Sequence, residues 1–341
     1  MNNFFSKVKY FVLLFCVAGI FLSCNASNIK DLIDVADGVP RKSIDTSILG
    51  INSFVNDSRF GSIRDQFLEV RDTLRLKFVR VLFAWDDNVQ PTPQSSPNFS
   101  FYDSIVQNAP SGLELLVVVT GVPRWMFDPA NWVNGNPRET FVKLWVKKVV
   151  ERYGSSGKIV GFEVWNEPNQ INDYNITLDV VNNPANFVEL LSMAYTTIKA
   201  EAPSKLVLNG ATTSINQNFP NNLNYNKRMV ESGVLNFVDK YAIHYYGRQF
   251  ENVVRTDGVE DFLLSLGKGV WVTESGIQGV NNQLAYGEQV WPFLREKISN
   301  IERIYIYQHT EATDPQTTFG LRNLSADFPV SDLYIFLRDR A

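Results

Sequence analysis

Eight short apolar runs, separated by longer amphipathic stretches, constrain this chain more than any other feature. They span residues 48–54, 77–84, 113–120, 158–165, 205–209, 238–244, 270–274 and 303–308. Most are rich in Val, Ile, Leu and Phe without polar alternation, the pattern of strands covered on both faces. Helical periodicity between them is clearest in three places. Residues 138–153 set Phe141, Leu144, Trp145, Val149 and Val150 on one side, and Gly154 follows as a stop. Residues 184–202 carry Phe187, Leu190, Leu191 and Tyr195 at helical spacing, and residues 283–298 form a third helix, expected to break or bend near Pro292. Strands with helices between them predict an α/β fold, a single (β/α)8 barrel. An open doubly wound sheet is the competitor; no glycine-rich dinucleotide fingerprint follows the first run, which counts against it.

A barrel places its chemistry at the C-terminal ends of its strands. Those ends carry Asn52, Arg80 with Trp85, Pro123 with Trp125, Asn166 with Glu167, His244 with Tyr246, Glu274, and Tyr307 with His309. Both histidines of the chain fall in this set, which contains no obvious metal cluster. Two runs end in a glutamate. The fourth stops at Asn166-Glu167, where Pro168 removes a ladder donor, and the seventh stops at Glu274, where Gly276 lets the chain turn. Carboxylates facing each other across a barrel mouth are what glycoside hydrolysis requires: one protonates the leaving oxygen, the other attacks or activates water. Glu163, on the pleat parity of Glu167, is expected to be a buried barrel carboxylate without a catalytic role. A metal-dependent barrel hydrolase is disfavoured by the scarcity of histidine.

Trp165-Asn166-Glu167-Pro168 and Thr273-Glu274-Ser275-Gly276 resemble the fourth- and seventh-strand signatures of clan A retaining glycoside hydrolases. Val79-Arg80-Val81 with Trp85 is similar to the second-strand motif of that clan, and His244-Tyr245-Tyr246 to its sixth-strand motif. Val122-Pro123-Arg124-Trp125 and Phe319-Gly320-Leu321 lean toward family 39, with families 5 and 10 open. The resemblance runs from about Ser47 to the C-terminus. It implies Glu167 as general acid/base and Glu274 as nucleophile, with Asn166 on the sugar 2-hydroxyl. It further implies Arg80 and Tyr246 holding Glu274, and His244 beside the acid/base. Trp85, Trp125 and Tyr307 would be sugar platforms. The clan commonly has a Trp at the end of strand eight; here Tyr307 stands there instead. A barrel that binds glycans without cleaving them is the alternative.

A net charge of −4 gives no electrostatic footprint for nucleic acid. Lys7 and Lys9 precede an apolar run, residues 10–22, that ends at Ser23-Cys24. This is the pattern of an export signal, shorter than the roughly 20 apolar residues of a spanning helix. Residues 21–24 resemble a bacterial lipoprotein cleavage box with Cys24 as the lipidated residue. The only other cysteine is Cys16, inside the removable segment, so no disulfide or thiolate zinc site is expected beyond it. The expected organisation is a signal over residues 1–24, a polar tether over 25–42 and the barrel over 43–341. The expected product is an exported, membrane-anchored enzyme of a bacterial cell envelope, with a carbohydrate substrate and no cofactor.

Overall fold

The computed structural model describes residues 31, 33–36 and 38–340, so the expected signal and Cys24 lie outside the described residues. Eight parallel strands form one sheet: β1 (Leu49–Asn52), β2 (Phe78–Ala84), β3 (Glu114–Thr120), β4 (Ile159–Val164), β5 (Leu206–Asn209), β6 (Tyr241–Tyr246), β7 (Val270–Gly276) and β8 (Ile301–Ile306). Their order is β5-β4-β3-β2-β1-β8-β7-β6. The seam between β5 and β6 is closed largely by one side chain. Asn209 donates from Nδ2 to the Ala242 carbonyl (3.0 Å) and accepts the Ala242 N–H on Oδ1 (2.9 Å), doing the work of a ladder pair. A parallel bridge between Leu208 and Lys240 completes the closure, and the (β/α)8 barrel is as expected.

A helix follows each strand: α1 (Ile63–Leu68), α2 (Ser100–Asn108), α3 (residues 137–153, with a π-helical turn at Val142–Val146), α4 (Pro184–Glu201), α5 (Asn221–Glu231), α6 (Val259–Ser265), α7 (Gln283–Lys297) and α8 (Asp332–Asp339). Local signals start several of them. Ser62 and Asp65 form a reciprocal capping box on α1, and Asn136 caps α3 with Pro137 in the first turn.

Two expectations change. The sixth strand begins at Tyr241 rather than Val238, and the seventh continues past Glu274, because Glu274, Ser275 and Gly276 still pair in register with His244, Tyr245 and Tyr246. The proline in α7 does not break it. Pro292 cannot donate to the Glu288 carbonyl one turn earlier, and that carbonyl instead accepts the Lys42 N–H at 2.9 Å. Arg41 pairs with Glu288, Lys42 with Glu296 (2.7 Å), and Gln289 donates to the Val39 carbonyl (3.0 Å). The last residues of the expected tether are therefore docked on α7.

Inside the barrel, polarity rises toward the site. The lower layer is apolar, with Leu116, Leu208, Ala242, Trp271 and Tyr305 packed together. Arg303 lies over the Phe78 ring (3.8 Å) and the Trp271 ring (4.2 Å) and is neutralised by Glu114 at 2.9 Å. Above that layer the interior turns ionic.

Candidate active site

Arg80 and Glu163, one from β2 and one from β4, make the floor. Both are fully buried, and the guanidinium meets the carboxylate through Nε (2.7 Å) and Nη2 (3.2 Å). The same guanidinium donates from Nη1 to Asn52 Oδ1 (2.8 Å) and Glu274 Oε1 (2.6 Å), and from Nη2 to Asn166 Oδ1 (2.9 Å). Its five N–H groups thus have five acceptor atoms on four residues in β1, β4, β7 and just past β4, a task only the planar fork of arginine performs. Asn52 ties the knot further by donating to the Thr273 carbonyl at 3.0 Å. Glu163 is buried inside the barrel, as expected.

Glu274 stands above this floor. Arg80 holds Oε1, and the Tyr246 hydroxyl donates to Oε2 at 2.7 Å. Burial on its own would raise the carboxyl pKa, but the charges of His244 and Arg80 and the hydrogen bonds from Tyr246 and Arg80 outweigh it, and the pKa is lowered. Burial, and then the Glu274 charge, push the Tyr246 phenol well above its ordinary value, so it stays a donor.

Glu167 arrives by a different route. Its neighbour Trp165 has φ +76° and Glu167 itself φ +47°, a left-handed excursion rare for bulky residues. The excursion turns the Trp165 ring outward onto Phe141 of α3, at 5.0 Å and edge-on, and leaves Asn166 facing Arg80. Buried Asn175 secures it by accepting from Trp165 Nε1 (2.7 Å) and donating to the Glu167 carbonyl (2.8 Å). The Glu167 N–H donates to the Ala211 carbonyl at 2.8 Å. Its carboxylate, 19% exposed, meets fully buried His244 at 3.1 Å, and His244 Nδ1 lies 3.6 Å from Glu274 Oε2. One ligand atom from each of Glu167, His244 and Glu274 lies within 4.8 Å of the others. Such a trio has the donor types of a metal site, but Arg80 sets a fixed positive charge against Glu274, which opposes a cation there.

A cavity of about 490 Å³ opens over the two carboxylates, lined among others by Asn166, Tyr246, Tyr307, Gln217 and Phe319. Tyr246, Tyr307 and Phe319 meet edge-to-face, with centroids 5.6–5.9 Å apart, and wall one side. Tyr307 is therefore at the site. Trp85 and Trp125 are not. Trp85 is fully buried, stacked parallel to Trp145 and bonded to Gln90 Oε1 (2.9 Å); Trp125 sits edge-on to it and donates to the Gln90 carbonyl (2.8 Å). Neither lines the cavity, so neither offers a face to a ligand in it. His309 is likewise structural, held between Ser53 (3.0 Å) and Glu69 (3.2 Å). Gln217 and Asn175 carried no signal in the sequence. Phe319 drew notice there only as part of a family motif.

Comparison with known proteins agrees with this architecture. The family model "Cellulase (glycosyl hydrolase family 5)" matches residues 40–306. No curated protein matches by sequence. Among solved structures, a family 39 glycoside hydrolase from the gut symbiont Bacteroides cellulosilyticus WH2 superposes with a TM-score of 0.62 at 18% identity, covering 87% of this chain and 63% of that one. The chain thus spans less than two thirds of that protein. The catalytic domain of the family 30 xylanase C from Talaromyces cellulolyticus gives 0.59 at 13% identity over 88% and 76% of the two chains. An endo-1,4-β-mannanase from Rhizomucor miehei gives 0.58 at 15% identity over 89% and 99%. The expected clan is met, with family 39 among the structural neighbours and family 5 as the matching model. The chain belongs to the cellulase family, glycosyl hydrolase family 5, within clan A of the glycoside hydrolases.

Proposed function

We propose that the protein is a retaining glycosidase acting on a β-linked oligo- or polysaccharide, with Glu167 as acid/base and Glu274 as nucleophile. The observation that carries this is the approach of the two carboxylates, whose nearest ligand atoms lie within 4.8 Å. Retaining enzymes hold the pair about 5–5.5 Å apart, whereas inverting enzymes leave about 6.5–9.5 Å for a water. Glu274 is the better nucleophile because Arg80 and Tyr246 keep it ionised and oriented. Glu167 is nearer solvent and has no arginine partner.

In the first step Glu274 attacks the anomeric carbon, the glycosidic bond breaks, and Glu167 gives its proton to the departing oxygen. The Arg80–Glu274 attraction weakens as the ester forms. In the second step Glu167 takes a proton from water, the water oxygen bonds to the anomeric carbon, and Glu274 leaves as carboxylate. The Asn166 oxygen is engaged by Arg80, which leaves the amide Nδ2 to donate to the 2-hydroxyl as charge develops on the ring. Tyr307 with Phe319 replaces the larger indole platform.

The test is the anomeric configuration of the first-formed product from an aryl β-glycoside, read by proton NMR before mutarotation. Retention is expected, together with loss of turnover in Glu167→Gln and Glu274→Gln. Inversion, or wild-type turnover in either variant, overturns the reading. Persistent activity in chelator is part of the same expectation, and its loss would revive a metal mechanism. We also propose export and anchoring through lipid on Cys24, tested by release of Cys24→Ser from the membrane fraction.

A further inference from the structure

A second polar cavity, of about 450 Å³, is lined by two chain segments that also line the catalytic one. The chain joins them twice. Residues 166–171 run from Asn166 and Glu167 in the first to Asn169 and Ile171 in the second, and Gln217 of the first is followed by Asn218 of the second. Six of the ten lining residues of the second cavity are asparagine, and none is a carboxylate.

These amides divide into two sets. Asn169 and Asn222 are committed to the fold: Asn169 Nδ2 donates to Asn222 Oδ1 (3.0 Å) and Thr213 Oγ1 (2.8 Å), while Asn169 Oδ1 accepts the Thr213 N–H (2.9 Å). They make a fixed floor. Asn182, Asn218, Asn221 and Asn224 are exposed at the edge, and among the described residues their side chains bond to nothing else in the chain. Ile171, 79% exposed, adds an apolar face to the same rim.

Direction follows from the chemistry. An acid/base donates to the leaving oxygen, so the departing part of the substrate lies on its side of the bond. The second cavity is lined by Asn169 and Ile171, which follow Glu167 in the chain, whereas Tyr307 and Phe319 pack on Tyr246, which holds Glu274. We propose that the asparagine-lined cavity binds the leaving-group half of an oligosaccharide. Each free amide can both give and take a hydrogen bond, which suits neighbouring sugar hydroxyls, and Ile171 packs on the apolar face of a ring. The inference rests on the glycosidase reading and deepens it. The enzyme prefers a leaving group of two or more sugar units to a simple aglycone.

The experiment compares the wild type with Asn221→Ala/Asn224→Ala on two kinds of substrate: an aryl β-glycoside, and the hexasaccharide (xylo-, cello- or manno-, all β-1,4) that the wild type cleaves fastest. The expected result is a fall of tenfold or more in kcat/KM for the hexasaccharide, with the aryl glycoside within twofold. No loss on either substrate, or an equal loss on both, overturns the proposal. A wild type that hydrolyses no glycoside overturns the glycosidase reading instead, and calorimetric titration with the three hexasaccharides then decides the cavity. Binding weakened at least tenfold in the double variant keeps it as a glycan site; unchanged or absent binding removes it.

Discussion

Arg80 and Glu274 meet at 2.6 Å across the barrel, with side chains only 1% and 9% exposed. A pair so enclosed is not free-standing, because Arg80 also neutralises Glu163 beneath it. Arg80→Met would leave two buried carboxylates without the guanidinium that neutralises both. Breaking a buried pair in this way costs about 3–5 kcal/mol, so urea unfolding at pH 7 should show a loss of that order. Arg80→Lys keeps the charge but not the five-donor fork, and kcat/KM should fall at least about 100-fold, the scale of removing an electrostatic support from the transition state. A Met variant as stable as wild type would show that Glu163 finds another partner.

Tyr246 tests the state of Glu274, the proposed nucleophile. Its hydroxyl donates to the ionised form of Glu274 and helps lower that carboxyl pKa. Tyr246→Phe removes the donor, the Glu274 pKa rises, and less of the carboxylate is ionised at a given acidic pH. The acid limb of the kcat/KM profile on an aryl glycoside should therefore move to higher pH. An unmoved limb would mean that Glu274 does not set it.

What the sequence showed and what it hid both follow from geometry. Strands buried on both faces leave unmistakable apolar runs, and their ends locate Asn166, Glu167, His244, Tyr246 and Glu274 without any tertiary knowledge, whereas Arg80, expected at a strand end, lies inside β2 and reaches the site from below. Trp85 was misjudged because position at a strand end is only half of the information. Side chains alternate along a strand, and Trp85 shares the parity of Phe83, which packs outward on Tyr102, not that of Arg80, which points inward. Asn175 and the asparagines of the second cavity lie in loops whose paths are set by contacts distant in sequence. The Asn169–Thr213 bonds are one case, and no local pattern announces them.

Glu69 ties the end of β8 to α8 away from the catalytic groups. It accepts from Tyr334 (2.6 Å), Arg322 (2.6 Å) and His309 (3.2 Å). Burial opposes its charge, but these partners, His309 foremost, lower the pKa to about 2 from an ordinary 4.5. A carboxyl depressed on folding stabilises the native state above its unfolded pKa and loses that contribution as pH falls toward the folded value. The shift corresponds to about 3 kcal/mol. Glu69→Gln should be less stable than wild type by this order at pH 7, and the gap should narrow between pH 4.5 and 2. A gap independent of pH would assign the effect to packing.

Asn175 positions Glu167, the proposed acid/base, without lining the cavity. Removing it in Asn175→Ala leaves the buried Trp165 N–H without its acceptor and the Glu167 carbonyl without its donor, just where the backbone is held at positive φ. An unsatisfied buried group costs about 1–3 kcal/mol. Relaxation of the turn would also swing Glu167 away from the departing oxygen. We expect kcat to fall about 10–100-fold with KM little changed, and the deficit to be smaller for aryl glycosides with good leaving groups, which need less protonation. A purely structural role would lower stability and leave that leaving-group dependence as in wild type.

Gly276 lines the cavity between Glu274 and Tyr307. A Cβ there would lie 2.5 Å from the Tyr307 carbonyl oxygen, a main-chain atom that cannot rotate aside. The ends of β7 and β8 must part by several tenths of an ångström to admit it. The two residues that would move both line the cavity: Glu274, two positions back on the strand, and Tyr307, whose N–H is bonded to the Ser275 carbonyl at 2.9 Å. A displacement of about 1 Å at a catalytic group costs on the order of 100-fold. Gly276→Ala should therefore lose roughly tenfold or more in kcat while unfolding only a few degrees below wild type. Because Gly276 lines that cavity too, a loss in kcat with KM unchanged marks displaced groups rather than a methyl in the ligand's way. A variant with wild-type kcat would mean that Glu274 is held by Arg80 and Tyr246 alone, with no contribution from the strand pair behind it.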